Sequence, residues 1–585
     1  MAEWPEDVSR EGPHRAHRRR APVVAIAIAC LFALVAGACG SSSDSDSGGN
    51  TDGTAPPLGS DVTIAADGDP QTGGNLIYGV EAESDGYNPW KNRFAPSGTM
   101  VGLAVYDPLA AFDVDNTPQP YLAESMTPSA DNLTWTITAR PNVTFHNGEA
   151  LDGAAMATFF ENLRADALVG IAFKNIASQA VDPANPLAVV LTMKEPWATF
   201  PVFMTGQGGM VTAPAMAADP DGLVPIGTGP FAYEDWTPDK AFKATKNPNY
   251  WRKDANGVQL PYLDSVEFRP IPDFTVRASS LEAGDLTMMH QTEARTIANF
   301  QAKADNGEYQ IVLDRGEREE GFIMLNTSKA PLDDIRVRQA LAYATNRETI
   351  NQVVNEGDRE IGDGIFAEDS PWRVDVPSCQ SAPEPPDGCY PDYDPAKATE
   401  LVNEYEAENG PIEIQLANSG TDDRTINLFK EFWTAAGVDV TITLVDQASY
   451  VANAALGNYE AYDWRQFGAL DPDYDYIWWT SENAGDGIAL NFARNKNPTI
   501  DAALKEARGS TDPAVRQEAY ATVQREINND VPYIWYDRAQ WAVIATNSVR
   551  GITNGPLPSG AEANPMGGPG GFGGITFLTQ TWLAS

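Results

Sequence analysis

Apolar and polar residues alternate from Leu133 to Ala139, with Leu133, Trp135, Ile137 and Ala139 on one side and threonines on the other, a period of two that predicts a half-buried strand. Behind Gly73-Gly74, the short apolar run Asn75 to Val80 predicts the first strand of the folded body, and Glu83 to Pro89 reads as a polar turn after it. Between residues 411 and 444 the period changes twice. Ile412, Ile414 and Leu416 alternate; Ile426, Phe429, Phe432, Trp433 and Ala436 fall at helical spacing before Gly437; Val438, Val440, Ile442 and Leu444 alternate again. A strand, a helix and a strand within so short a stretch predict a βαβ unit, hence parallel sheet. Asp394-Pro395 supplies a cap and first-turn pair for a helix ending near Tyr405. Asp333 and Asn346 are candidate caps for helices over 334–345 and 347–356, with Gly357 past the end of the second.

The chain has 585 residues, enough for more than one domain, and its 42% hydrophobic content supplies a large core. Forty Lys and Arg stand against 81 Asp and Glu, a net charge of −41. A surface this acidic repels phosphate backbones and excludes nucleic acid as a partner. Only four His occur, two of them (His14, His17) near the start, which leaves His146 and His290 and removes multi-histidine zinc sites. No Gly-x-Ser-x-Gly, His-Glu-x-x-His or Walker loop is present, and the Gly-rich tail 567–574 lacks the Lys-Ser/Thr of a phosphate loop. Neither enzymatic chemistry nor a cofactor is expected.

Arg18-Arg19-Arg20 precede an uncharged, mostly apolar stretch from Ala21 to Ala38, then Cys39-Gly40 and a run of Ser, Asp and Gly. This is the layout of an export signal. Its end, Ala-Gly-Ala-Cys, resembles the lipobox of bacterial lipoproteins, which implies cleavage after residue 38, acylation of Cys39 and attachment to the membrane through the lipid, with 39–73 as a flexible leash. Cys379 and Cys389 sit ten positions apart in a Pro-rich loop, where an oxidising compartment favours a disulfide over a metal site with too few ligands.

Several separated segments carry a further signal. Leu122-Ala123-Glu124-Ser125 is followed by Leu133 to Gly148; Gly227-Thr228-Gly229-Pro230-Phe231 by Trp236 and Asn247-Pro248-Asn249-Tyr250-Trp251; Leu325-Asn326-Thr327 by Asp333 to Ala340; and Asp394 to Ala398 closes the series. In this order they resemble the solute-binding proteins of ABC importers for peptides and nickel. The resemblance implies an α/β, two-lobed periplasmic-binding-protein-like fold with a two-stranded hinge and an extra subdomain in the first lobe. It places the first lobe at 74–318 plus 540–585, with the inserted subdomain at 99–195, and the second lobe at 319–539. It also implies a monomer that takes an oligopeptide into the interlobe cleft and delivers it to membrane permease subunits. A metal chelate, a sugar, a haem or a non-transport envelope role are the alternatives on the same fold.

The candidate pocket lies in Tyr462 to Pro472. Read as a strand, this stretch puts Arg465, Phe467, Ala469 and Asp471 on one face. In the resembling peptide binders the matching stretch has a basic residue for the ligand carboxylate and, six residues on, an Asp for its α-ammonium, so the resemblance assigns Arg465 and Asp471 those roles. Six strand residues span about 20 Å, which suits three to five peptide residues. In the same family the turn after the first strand faces the cleft, which adds Gly86 and Tyr87. Asp471, Asp473, Asp475 and Glu482 also fit a calcium loop in spacing, but Tyr476 occupies the position that needs Gly.

Overall fold

The computed structural model describes residues 61–63, 68–219, 222–314, 319–380, 385–419, 424–466, 468–568 and 573–584. The export signal, Cys39 and most of the expected leash lie outside the described residues, as does Phe467.

The chain builds two separate main sheets. The first, in spatial order, runs Asp61–Thr63, Tyr309–Leu313, Ala542–Thr546, Met288–Gln291, Asn75–Val80, Ser265–Pro270, Ala241–Lys246 and Phe231–Thr237. Its centre forms because Leu76, Tyr78 and Val80 are buried, and Asn75–Val80 pairs parallel with Ser265–Pro270. The second sheet runs Asp439–Leu444, Glu413–Asn418, Ala461–Gln466, Glu319–Leu325 and Tyr533–Ala539. The chain passes from one sheet to the other twice, between Leu313 and Glu319 and between Ala539 and Ala542. Ala542–Thr546 returns to complete the first sheet, antiparallel to both of its neighbours. A smaller antiparallel sheet of Ala123–Pro128, Thr134–Ala139, Asn185–Met193 and Ile176–Asp182 carries the helix Gly153–Ala165, whose first turn is capped by Asp152 accepting from the Ala155 N–H at 2.9 Å.

The local periods translate directly. Thr134–Ala139 buries Trp135, Ile137 and Ala139 and leaves the threonines half-buried. Glu413–Asn418 and Asp439–Leu444 pair in parallel across the helix Arg424–Ala435, whose Ile426, Phe429 and Trp433 are fully buried. Three expectations shift. The cap of the helix Ile335–Ala344 is Asp334 rather than Asp333, since it is the Asp334 carboxylate that reaches the Arg336 N–H at 2.8 Å. The helix capped by Asp394 runs to Asn409, beyond Tyr405. The leash expected over 39–73 includes the strand Asp61–Thr63, because Tyr309–Leu313 would otherwise be a sheet edge with unpaired backbone groups. Cys379 and Cys389 form a disulfide with Cα atoms 5.2 Å apart.

The motifs that carried the resemblance have packing roles. Arg336 pairs with Asp334 at 2.8 Å and Glu408 at 2.9 Å, and Arg338 donates to the carbonyls of Leu332 and Asp530, so these contacts tie together the helices around the second sheet. Gly227 and Gly229 act through close approach to the Val105 backbone. A Cβ on Gly227 would stand 2.2 Å from the Val105 carbonyl oxygen, and one on Gly229 would stand 2.5 Å from the Val105 carbonyl carbon. Backbone cannot yield as a flexible side chain can, so Gly227→Ala and Gly229→Ala should each cost about 1–3 kcal/mol by overpacking, read as a lowered denaturant midpoint at unchanged m-value. Between these glycines Thr228 donates its hydroxyl to Asp107 at 3.0 Å. Tyr250 and Trp251 donate to the same carboxylate at 2.8 and 2.9 Å. Thus two distant motifs converge on one buried acid.

Candidate functional site

Arg465 lies on Ala461–Gln466, which pairs antiparallel with Glu319–Leu325 and sets Arg465 opposite Gly321. From there its guanidinium reaches two acids that the chain brings in from elsewhere. One Nη stands 3.5 Å from Glu81, the residue that follows the first-lobe strand Asn75–Val80, and the other stands 3.5 Å from Glu319, where the chain enters the second sheet. Both distances are long for a charge-assisted hydrogen bond, so the cation is held by attraction more than by fitted geometry. The Arg465 side chain keeps 43% of its surface accessible, yet desolvation still works against its charge. The exposed part of the guanidinium stands beside acids brought in from two different strands. The nearby carboxylates outweigh the desolvation and hold its pKa above the ordinary arginine value.

Glu319 is 3% exposed and accepts a hydrogen bond from Trp541 Nε1 at 3.2 Å. Burial pushes its carboxyl up to about 7, with Arg465 pulling down and Glu81 pushing up. Beneath it, His290 Nε2 accepts from the Glu81 N–H at 2.8 Å, which assigns the ring proton to Nδ1. Burial, with Arg277 and Arg465 nearby, holds His290 well below its ordinary pKa, so it stays neutral and serves as a fixed acceptor.

The remaining expected pocket residues go elsewhere. The strand stops at Gln466, and Asp471 instead begins the 3-10 turn Pro472–Asp475, accepting from the Asp473 N–H at 2.9 Å. Pro472, with its fixed φ and no N–H, suits the start of a turn and not the interior of a sheet. The strand face expected to join Arg465 to Ala469 and Asp471, and the 20 Å span drawn from it, are therefore corrected. The Asp471 carboxylate meets Arg516 at 2.5 Å, both side chains close to nine-tenths buried, and the Arg516 guanidinium stacks 4.7 Å from the Trp372 ring centroid. An α-ammonium would have to displace that guanidinium. Asp473 is taken by Arg508 at 2.7 Å, and Gln466 approaches Asp475 at 3.5 Å, so these acids serve as internal partners and not as a calcium loop.

Gly86 and Tyr87 are likewise corrected from cleft to core. Tyr87 is 6% exposed, its ring 4.7 Å from Phe242 and 5.0 Å from Trp236, and its carbonyl accepts from the Tyr106 hydroxyl at 2.8 Å. A Cβ on Gly86 would lie 2.5 Å from Asn92 Oδ1. The turn packs inward through the Tyr87 ring, set against Phe242 and Trp236. Glu81, Glu319 and His290 were not marked by any local pattern; only the pairing of distant strands assembles them.

Residues 117–487, more than half of the chain, match the model of the bacterial extracellular solute-binding proteins, family 5 (middle region). The chain belongs to this family. Family 5 proteins are the extracytoplasmic solute-binding components of ABC importers. Among curated relatives, the nickel-binding periplasmic protein of Escherichia coli (strain K12) is 26% identical over 490 residues, covering 79% of this chain and 89% of that protein. The glutathione-binding protein GsiB of Pectobacterium atrosepticum is 28% identical over 464 residues, covering 74% and 83%. Of solved structures, the periplasmic binding protein DppA of Helicobacter pylori with the peptide STSA superposes at TM-score 0.73 with 21% identity, covering 88% of this chain and 99% of that one. NikA of Brucella suis with Fe(III)-EDTA superposes at 0.65 with 23% identity, covering 81% and 96%. These neighbours are two-lobed binding proteins, and this family 5 chain shares their fold. Among its described residues no helix is long and apolar enough to cross a membrane.

Proposed function

We propose that this protein captures short peptides through their terminal carboxylate, between its lobes, and delivers them to an ABC permease in the membrane to which the acylated Cys39 tethers it. The observation that carries the reading is Arg465: an accessible guanidinium held loosely at 3.5 Å by Glu81, which follows a strand of the first sheet, and by Glu319, on a strand of the second. A ligand carboxylate losing its water needs such a partner, and the bidentate geometry that Glu81 and Glu319 do not supply is available to it. Glutathione is itself a tripeptide, and the STSA complex adds a second peptide among the similar proteins.

A second reading has a specific observation behind it. Because Arg516 occupies Asp471, the α-ammonium lacks its expected partner, which favours a carboxylate-bearing ligand without one, such as a metal chelate. Calorimetric titration with the peptide Ser-Thr-Ser-Ala, its C-terminal amide and Fe(III)-EDTA separates the two. Tight binding of the free peptide and weak binding of the amide support the first reading; heat only with the chelate transfers the assignment to the second. Anchoring has its own test. The Cys39→Ala protein should incorporate no labelled palmitate, and incorporation equal to the native protein would end the lipoprotein reading.

A further inference from the structure

The lobes meet again around Asp473. Segment 195–206 follows the strand Asn185–Met193 of the smaller sheet, which the resemblance assigns to the first lobe, whereas it assigns the turn Pro472–Asp475 and the helix Pro498–Gly509 to the second. Asp473 is completely buried. One of its carboxylate oxygens accepts from Arg508 Nε at 2.7 Å, a partner on its own lobe. The other accepts from Trp197 Nε1 at 2.9 Å and from the Thr199 hydroxyl at 2.6 Å, both from the opposite lobe. The Arg508 guanidinium lies between rings of the two lobes, 3.5 Å from the Tyr476 centroid and 4.5 Å from that of Trp197. Its carbonyl accepts the Ala198 N–H at 2.8 Å. The Phe203 and Tyr474 rings sit 5.0 Å apart across the same junction, and the half-exposed pair Lys505–Glu195, at 3.0 Å, marks its rim.

We propose that Asp473 and Arg508 form a closure latch, which Trp197 and Thr199 grip when the lobes shut and release when they open. The division of partners is what makes it reversible. When the lobes part, Asp473 keeps Arg508, so no buried charge is left without its counter-ion, and water replaces the two lost donors. A purely apolar junction would have no comparable way to separate. In the closed state each hydrogen bond to the carboxylate favours closure by a factor of about ten to a hundred, and the indole on the guanidinium face adds to it. The latch also shares a segment with the solute site. Asp471, pinned by Arg516, stands between Arg465 and Asp473 in the chain. Asp473 and Arg508 are positioning residues in this account and touch no solute.

The test needs no ligand, so its failure is separate from any failure of the solute assignment. Backbone hydrogen exchange is followed in the full-length, solute-free protein and in Thr199→Val and Trp197→Phe, which each remove one donor and keep the apolar contact. The Ala198 amide should exchange about 10- to 100-fold faster in both variants. The amides of Thr134–Ala139 should keep their native protection, and Thr199→Ser, which restores a hydroxyl, should behave as the native protein. In the double variant the radius of gyration from small-angle scattering should increase. Unchanged exchange at Ala198, faster exchange throughout Thr134–Ala139, or an unchanged radius would each overturn the latch.

Discussion

Replacing Asp107 with alanine should cost about 3–5 kcal/mol of unfolding free energy at pH 7. The carboxylate is 2% exposed and is the common acceptor for Thr228, Tyr250 and Trp251, so its removal strands three buried donors at once. Arg252 adds its charge nearby and donates to the Tyr121 hydroxyl in the same cluster, which spreads the loss across the first lobe. Asp107→Asn keeps one acceptor oxygen and should cost less. The pH dependence has a definite sign. Burial raises Asp107 from an ordinary 3.8 to about 6, with its hydrogen bonds opposing the rise, so the native protein holds this proton more tightly than the unfolded chain. Between about pH 4 and 6 the native state therefore binds more protons at this site, and the contribution of Asp107 to stability falls as pH rises. Urea unfolding of the native protein and Asp107→Ala at several pH values should show the gap between them narrowing upward through this window.

Arg465→Ala should weaken binding of a peptide with a free carboxylate by about 2–4 kcal/mol, roughly 30- to 1000-fold. The substitution removes the ligand's partner and also the cation that Glu81 and Glu319 share, leaving Arg277 near Glu81 and Arg359 near Glu319. Glu319, already raised to about 7 by burial, loses the group that most holds it down and should take up a proton. Arg465→Lys retains a charge without the planar fork and should fall between the two. A C-terminally amidated peptide is the control. It should bind the native protein poorly and be nearly indifferent to the substitution, whereas equal losses for both peptides would reassign Arg465 to holding the lobes together.

The contrast between these two residues shows where the sequence was legible. Alternation in Thr134–Ala139 and the strand–helix–strand of 413–444 are local patterns, and a local period is enough to fix which side faces the core. Choosing Asp334 over Asp333 as a helix cap lies below that resolution, since two adjacent aspartates can cap equally well by type. Of the expected pocket residues, Arg465 keeps the strand position the sequence implied. Asp471 has the residue type and spacing of an ammonium partner, but Arg516, 45 positions further on, takes its charge. Glu81 and Glu319 lie far from Arg465 in the chain and meet it through strand order, which no local pattern encodes. Tyr87 was misplaced for a related reason: whether a turn faces a cleft or a core depends on Trp236 and Phe242, contributed by distant strands.

Native mass spectrometry of the purified full-length protein, beside Arg465→Ala, tests solute capture through a carboxylate most directly. The native protein should carry a small-molecule adduct that, once released by denaturation, fragments as a short peptide with a free terminal carboxyl, and Arg465→Ala should lack it. An adduct with no carboxylate, or one retained equally by both proteins, would contradict the account.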